Sequence, residues 1–105
     1  MSNDVANALF DLEAQLRVLG LWQEQSPPLE ALASTQPFCI DTLTLPQWLQ
    51  FIFLPRMHAL LDNELALPEA CSVTPMAQEY FKGQEQAYTS LLLVLERVDY
   101  SISSA

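Results

Sequence analysis

A stretch of fourteen residues without a charged side chain constrains this chain more than any other feature. Residues 42–55 read Thr-Leu-Thr-Leu-Pro-Gln-Trp-Leu-Gln-Phe-Ile-Phe-Leu-Pro, whereas charged residues are scattered over most of the remaining chain. If the part from Gln47 onward is helical, its large apolar side chains point to nearly every side of the axis. We therefore predict a helix that is buried all round, either as the central rod of a small bundle or as half of an interface.

The first half of the chain contains signals for two helices and a loop. Apolar residues at spacings of three and four predict a first helix over about residues 3–22. Ser26, followed by two prolines, is a candidate cap for a short helix over about residues 29–33. The next segment has no clear period, and we expect an ordered loop that Phe38 and Ile40 hold in place.

Two longer helices are predicted in the second half. Thr44 and Gln47 have the spacing of a capping box, so a third helix begins near Thr44 and runs to about Leu61. Pro55 should kink it, because proline cannot donate a hydrogen bond to the carbonyl four residues before it. Helical spacing resumes at a Thr-Pro pair and predicts a fourth helix over about residues 74–98, followed by a tail that should fray.

These elements predict an all-α fold, a small helical bundle of three long helices plus one short helix. No segment is a convincing strand, and the presence of only two glycines disfavours β-hairpins, which use glycine in turns with positive φ. A chain of 105 residues has the length of one domain. We therefore expect a single helical domain over residues 1–105.

The charge balance excludes the usual mode of nucleic-acid binding. Thirteen acidic residues against four basic ones give a formal net charge of −9. Because nucleic-acid affinity is built from lysines and arginines that neutralise phosphates, this surface should repel tRNA, DNA and anionic lipid. We expect no direct nucleic-acid partner and no membrane partner, and the charge serves either solubility or a basic protein partner. The absence of a signal-peptide pattern and of a long apolar span favours a cytoplasmic location.

Residues that could carry catalysis or hold a metal are sparse. His58 is the single histidine, and it falls among apolar residues of the third helix. Cys39 and Cys71 lack the short paired spacing of zinc ligands, and we expect reduced thiols. Acidic pairs such as Glu96 and Asp99 look like ordinary solvated faces. We therefore expect no metal site, no cofactor and no enzymatic activity.

Arg56 is open to two interpretations. Arg56 and Asp41 are the only Lys, Arg, Asp or Glu residues between positions 31 and 61. One interpretation is a partly buried ion pair that fixes the loop against the helix, because an isolated buried charge would be costly. The other is an anchor for a binding partner, since Arg and Trp are enriched in binding hot spots. The candidate binding residues are Trp22, Phe38, Asp41, Trp48, Gln50 and Arg56.

Several sequence blocks stand in order along nearly the whole chain. They include Gly20-Leu21-Trp22, Gln36-Pro37-Phe38, Asp41-Thr42-Leu43, Trp48-Leu49-Gln50 and Phe53-Leu54-Pro55-Arg56-Met57. These blocks resemble the YqcC-like family of small bacterial proteins. The resemblance implies a helical bundle of uncharacterised function. It also implies an association, by name, with tRNA pseudouridine synthase C.

The chain lacks what a pseudouridine synthase needs, which is a catalytic aspartate in a much larger, sheet-based domain. Asp41 and Thr44 do mimic the Asp-x-x-Thr part of that enzyme's motif. However, Cys39 and Ile40 replace the basic residue and the leucine expected before the aspartate, and Pro46 replaces the following glycine. An accessory role is therefore the most that the family name supports for this chain.

Three hypotheses follow. The first is a non-enzymatic, acidic interaction protein, with a tRNA-modifying enzyme such as a tRNA pseudouridine synthase as a candidate partner. The second is a small-molecule-binding bundle, or an enzyme, with a pocket around Trp22, Trp48 and Arg56. The third, compatible with either, is a homodimer in which the third helix pairs with its copy.

Overall fold

The computed structural model describes residues 2–39 and 41–104, and this part of the chain forms a bundle of helices without a strand. The predicted all-α fold is therefore confirmed. The helices are α1 (Ser2–Val18), α2 (Leu29–Leu32), α3 (Leu45–Trp48), α4 (Leu54–Asp62), α5 (Thr74–Tyr80) and α6 (Thr89–Ser103). A π-helical turn at Leu49–Phe53 joins α3 to α4, and short 3₁₀ turns lie at Pro37–Cys39 and Glu85–Tyr88. Helix α1 packs along α6 and against α4, while α5 packs against α6.

Helix α1 ends four residues before the predicted boundary because Gly20 adopts a left-handed conformation, with φ of +74°. The Leu21 N–H donates to the Leu16 carbonyl at 2.8 Å, and the Gly20 N–H donates to the Arg17 carbonyl at 3.1 Å. These two bonds form a Schellman motif, which satisfies the last carbonyls of the helix. The chain then turns away, so Trp22 lies in the following loop.

The short second helix forms where predicted, but its predicted cap is wrong. Pro28 occupies the N-cap position and provides no side-chain hydrogen bond. The Ser26 hydroxyl instead donates to the Pro27 carbonyl at 3.1 Å. In the loop that follows, Phe38 packs against Trp48, whereas Ile40, the second predicted anchor of this loop, lies outside the described residues.

Helix α3, the π turn and α4 follow one another without a break, and we call residues 45–62 the central rod. The rod begins with the predicted capping box. The Gln47 N–H donates to Thr44 Oγ1 at 3.3 Å, and the Thr44 N–H donates to Gln47 Oε1 at 2.8 Å. These reciprocal bonds satisfy donors at the start of the helix and fix where the rod begins.

The π turn lies directly before Pro55, where the sequence predicts a kink. In an α-helix the proline ring would crowd the Phe51 carbonyl and leave it without its usual donor. Here the Leu54 N–H donates to the Leu49 carbonyl, five residues back. The widened turn gives the structure a way to continue the helix through Pro55.

The central rod confirms half of the burial prediction. Every residue over positions 45–54 is buried or half-buried. Phe53, Leu54 and Met57 expose only 4%, 2% and 4% of their surface. Burial all round is wrong for the second half of the rod, whose solvent-exposed residues include Pro55, Arg56, His58 and Ala59.

The predicted fourth helix is broken into two. Gly83, with φ of +89°, lies in the turn between α5 and the 3₁₀ turn that precedes α6. This turn lets α5 fold back against α6, which a single straight helix could not do. The predicted fraying of the C-terminal tail is also wrong, because α6 continues to Ser103 and Ile102 is fully packed in the core.

One hydrophobic core runs through the bundle and receives side chains from every long segment. The apolar residues at spacings of three and four that predicted the first helix are Val5, Leu9, Leu12, Leu16 and Leu19. The first four are buried, and Leu19, just beyond the end of α1, is half-buried. The fully buried large side chains are Val5, Leu9, Leu12, Leu16, Leu49, Leu91, Leu95, Val98 and Ile102.

Candidate functional site

A cavity of about 430 Å³ opens between the central rod and the loop that precedes it. The loop contributes Phe38, the π turn contributes Phe51 and Ile52, and α4 contributes Arg56. We call this the aromatic cavity. Its lining residues are Leu32, Ser34, Gln36, Phe38, Cys39, Trp48, Phe51, Ile52 and Arg56.

The aromatic wall of this cavity rests on an unusual backbone. Phe38 and Cys39 both have positive φ, of 57° and 49°. This conformation costs an L-residue roughly 1–2 kcal/mol. The Leu43 N–H donates to the Cys39 carbonyl at 2.8 Å, which holds the turn. The Phe38 ring meets Trp48 edge to face at 4.7 Å, and Trp48 in turn lies 5.3 Å from the buried Phe53 ring. The loop is thereby tied to the core.

Arg56 is exposed beside this wall, and it has no acidic partner within 4.0 Å among the described residues. Asp41 is also exposed, and its carboxylate accepts a hydrogen bond from the Ser34 hydroxyl. The first interpretation of Arg56, an ion pair with Asp41, is therefore wrong, because no such pair forms in the described part of the chain. The exposure of Arg56 also favours a docking surface over a small-molecule site with this arginine at its floor.

Gln50 and Trp22 take part in a separate set of contacts. The Gln23 N–H donates to Gln50 Oε1 at 2.8 Å, and Gln50 Nε2 donates back to the Gln23 carbonyl at 2.5 Å. Gln50 is buried, so this pair of bonds ties the loop after α1 to the central rod. The Arg17 guanidinium lies 4.3 Å above the centre of the Trp22 ring, a cation–π contact.

Three of the six predicted binding residues therefore meet at one place. Phe38, Trp48 and Arg56 all line the aromatic cavity. Trp22, Asp41 and Gln50 lie outside its lining. Phe51 and Ile52 also line it, although the sequence analysis did not select them. Pro55 was the available signal, because the π turn that carries both residues lies directly before this proline.

Asp99 is a structural residue that the sequence analysis assigned wrongly to a solvated face. Its Oδ1 accepts the Val73 N–H at 2.9 Å, and its Oδ2 accepts the Thr74 N–H at 2.8 Å. A carboxylate on α6 thus satisfies the backbone at the start of α5. Local sequence patterns could not reveal this contact, because the partners are 25 and 26 residues apart.

The Asp99 carboxylate also affects the pKa of the Cys71 thiol. The Cys71 thiol donates to Asp99 Oδ1 at 3.1 Å. Burial, and then the hydrogen bond and the negative charge of Asp99, raise the pKa of Cys71 from 9.0 to about 12. Cys71 is therefore a protonated thiol at neutral pH and a poor nucleophile.

The remaining candidate groups for catalysis or metal binding include His58 and Cys39. Within residues 2–39 and 41–104, no group of three or more His, Cys, Asp or Glu residues could hold a metal ion. His58 is exposed, and Cys39 is buried. No helix in this part of the chain is long and apolar enough to cross a membrane.

A second cavity, of about 510 Å³, lies between α1 and α6. It differs from the aromatic cavity in the charge environment of its arginine. Its arginine, Arg97, forms an ion pair with Asp11 and donates to the Asn7 carbonyl at 3.2 Å. Phe10, on its edge, is 71% exposed. Arg97 is thus already paired within the chain, whereas Arg56 has no acidic partner within the described ranges.

A family model, DUF446, described as "tRNA pseudouridine synthase C", matches residues 4–101. The chain belongs to this family. The predicted resemblance to YqcC-like proteins is confirmed by a protein from Escherichia coli named "Uncharacterized protein YqcC". It is 39% identical over 88 residues, which are 84% of this chain and 81% of that protein.

A solved structure shares the fold. The solution NMR structure of E. coli YqcC superposes with a TM-score of 0.85 at 36% sequence identity. The match covers 96% of this chain and 86% of the YqcC chain. An uncharacterised protein of Haemophilus influenzae is 37% identical over 100 residues, which are 93% of this chain and 94% of that protein.

One relative is much longer than this chain. A protein of Pectobacterium carotovorum subsp. carotovorum named "tRNA pseudouridine synthase C" is 46% identical over 84 residues. The match covers 80% of this chain but only 22% of the Pectobacterium protein. More than three quarters of that protein therefore lies outside the likeness.

Proposed function

We propose that this protein is a non-catalytic partner of a tRNA-modifying enzyme, with tRNA pseudouridine synthase C as the first candidate. The observation that carries the proposal is the incompletely covered side of the central rod. Trp48, Phe51 and Ile52 are only half-buried there, beside an exposed Arg56. Tryptophan and arginine dominate binding hot spots, so this combination suits a docking surface.

The Pectobacterium relative supplies the candidate partner. In that protein a segment like this chain accounts for about a fifth of the length, which leaves ample room for a catalytic domain. The Haemophilus relative, by contrast, has almost the same extent as this chain. Joining two domains in one chain raises their effective concentration for each other, whereas separate chains must bind through their own interface. We infer that the aromatic cavity serves that interface in this protein.

The net charge of the chain also supports a role as a non-catalytic partner. An enzyme that acts on tRNA needs a basic surface, and this chain has a net charge of −9. Opposite net charges steer two proteins toward each other over distances of about 10 Å or less at moderate salt. The protein would therefore approach a basic synthase readily and leave tRNA binding to it.

The decisive experiment uses the Pectobacterium protein after deletion of the matched 84-residue segment. The 105-residue chain should bind the truncated Pectobacterium enzyme in isothermal titration calorimetry. The Arg56→Glu variant of the chain should bind about tenfold or more weakly, as expected for a hot-spot residue. Lys82→Glu is the matched control, because it makes the same charge change at an exposed site on the α5–α6 turn. It should change the affinity far less.

Two further measurements complete the test. Pseudouridine should form in tRNA when the enzyme is present, and this protein without the enzyme should form none. Sedimentation over a range of concentrations should show whether the protein also forms the homodimer considered above. A second candidate partner is a tRNA pseudouridine synthase C from a species that encodes the two proteins as separate chains. The proposal would be refuted if this protein binds neither that enzyme nor the truncated Pectobacterium enzyme.

A further inference from the structure

The aromatic cavity presents a positive charge within a strongly acidic protein. Arg56 is the one residue among its lining with an ionised side chain, whereas the whole chain has a net charge of −9. The hydroxyl of Ser34, also on the lining, donates to the Asp41 carboxylate, and Asp41 itself does not line the cavity. The Arg56 guanidinium is permanently charged and offers a planar fork of donors that matches a carboxylate.

The apolar wall beside Arg56 is held in place by two irregular backbone segments. The left-handed pair at Phe38 and Cys39 presents the Phe38 ring to Trp48, and the π turn carries Phe51 and Ile52 to the same cavity. Strained residues and π turns both concentrate at functional sites. That two such features meet at one cavity indicates that its shape is specified rather than incidental.

We propose that the aromatic cavity binds a carboxylate coupled to an apolar side chain, both carried by one short segment of the protein partner. The partner's identity rests on the proposed function, whereas the chemistry of the cavity does not. The carboxylate pairs with Arg56, and the apolar group lies against Phe38 and Trp48. Binding of this kind removes apolar surface from water on both partners.

The net charge of the chain makes the apolar half of the ligand necessary. A free anion gains only the Arg56 contact and is repelled by the Asp41 carboxylate beside Ser34 and by the net negative charge of the chain. An acidic residue beside an apolar one gains the contact with the aromatic wall as well, which offsets that repulsion. The cavity should therefore discriminate against simple anions such as phosphate and acetate, and against an apolar group without a charge.

Nuclear magnetic resonance with a matched pair of small probes tests this chemistry directly. The probes are 4-phenylbutyrate and its uncharged analogue 4-phenylbutyramide, which have nearly the same shape. Titration with the carboxylate should move the Trp48 indole and Arg56 Nε–H signals and should saturate. The Trp22 indole, which lies outside the cavity, serves as an internal reference. The amide should bind about tenfold more weakly, because it loses the charge-assisted fork.

Variants then assign the preference to Arg56. Arg56→Gln should abolish the difference between carboxylate and amide, and Arg56→Lys should retain part of it as a point charge without the fork. Lys82→Gln, which removes a positive charge elsewhere, should leave the difference unchanged. Since Arg56 is exposed, these variants should fold, which unchanged circular dichroism will establish.

The outcomes separate this inference from the proposed function. Equal affinity for the two probes, or a carboxylate preference that survives Arg56→Gln, overturns the assignment of the cavity. A preference that depends on Arg56, together with no binding to any tRNA pseudouridine synthase, supports the assignment and rejects the synthase as partner. Saturation by acetate or phosphate at comparable concentration would show a simple anion site and also overturn the inference.

Discussion

The contact between Asp99 and the start of α5 allows a quantitative test of what holds the bundle together. The Asp99→Ala variant removes the acceptor for the Val73 and Thr74 N–H groups, which belong to residues that are only 3% and 6% exposed. A hydrogen bond to a charged group contributes roughly 1.5–3 kcal/mol. Loss of a helix N-cap costs roughly 0.5–2 kcal/mol. We expect Asp99→Ala to lower the free energy of unfolding by about 2–4 kcal/mol, because the two bonds act on one short helix and are not fully additive.

Asp99→Asn refines the estimate because its amide keeps one carbonyl oxygen. That oxygen can accept from Val73 or from Thr74, but not from both with the original geometry. The loss should therefore be about half of that for Asp99→Ala, near 1–2 kcal/mol. Glu96→Gln is the control on the same helix. Glu96 is exposed, so this change should stay within about 0.5 kcal/mol of the parent.

Urea denaturation followed by circular dichroism at 222 nm measures these differences. A domain of this size has a total stability of about 5–15 kcal/mol, so the expected loss is easily resolved. Amide hydrogen exchange gives an independent readout, because the Val73 and Thr74 amides should be protected in the parent and exchange faster in Asp99→Ala. A loss below about 0.5 kcal/mol with unchanged exchange at both amides would show that the capping argument is wrong.

Three further changes test other parts of the structure. Gly20→Ala should lower the free energy of unfolding by about 1–2 kcal/mol, because alanine resists the left-handed conformation that ends α1; an unchanged urea midpoint would contradict this. Gln50→Leu should cost about 1 kcal/mol or more through the loss of both bonds to Gln23, and an equally stable variant would show that water replaces them fully. In a Cys39→Ser background, alkylation of Cys71 by iodoacetamide should keep rising from pH 8 to about 11, because its pKa is raised to about 12. Because the pKa of Cys71 is higher in the folded protein than the ordinary value of 9.0, the free energy of unfolding should fall as the pH rises from about 9 toward 12. An alkylation rate that levels off near pH 9 would contradict the raised pKa.

Local signals in the sequence predicted much of this fold correctly, because they act between residues close along the chain. The Thr44–Gln47 capping box is an example, since both hydrogen bonds join residues three positions apart. The apolar stripe of α1 is another, since one face of one helix determines which residues are buried. Gly83 lies within the predicted fourth helix, where glycine is a poor helix former. Whether it breaks the helix, however, depends on the packing of α5 against α6, and this is a tertiary effect.

The features that the sequence analysis missed arise from contacts across the fold. Asp99 caps a helix that begins 25 residues before it, and no pattern within one helix reveals such a partner. Pro55 predicted a kink, but the form that it takes, a π turn, also depends on how the neighbouring apolar side chains pack. The left-handed pair at Phe38 and Cys39 was equally hidden, since bulky residues rarely adopt positive φ. Two of these three features shape the aromatic cavity.

The aromatic cavity lies where the uncharged segment is incompletely covered by the rest of the chain. The first half of the rod, residues 45–54, is uncharged and buried or half-buried throughout, and α1, α5 and α6 pack with it around one core. The remaining side, with Trp48, Phe51 and Ile52, receives only the loop around Phe38 and stays half-buried. Evolution for solubility alone would be expected to place polar residues there, as it does elsewhere on the rod at His58 and Asp62. Arg56, beside this surface, has no acidic partner among the described residues, and the second protein proposed above would complete the cover. If it does, substitutions at Arg56 should affect binding while leaving stability nearly unchanged.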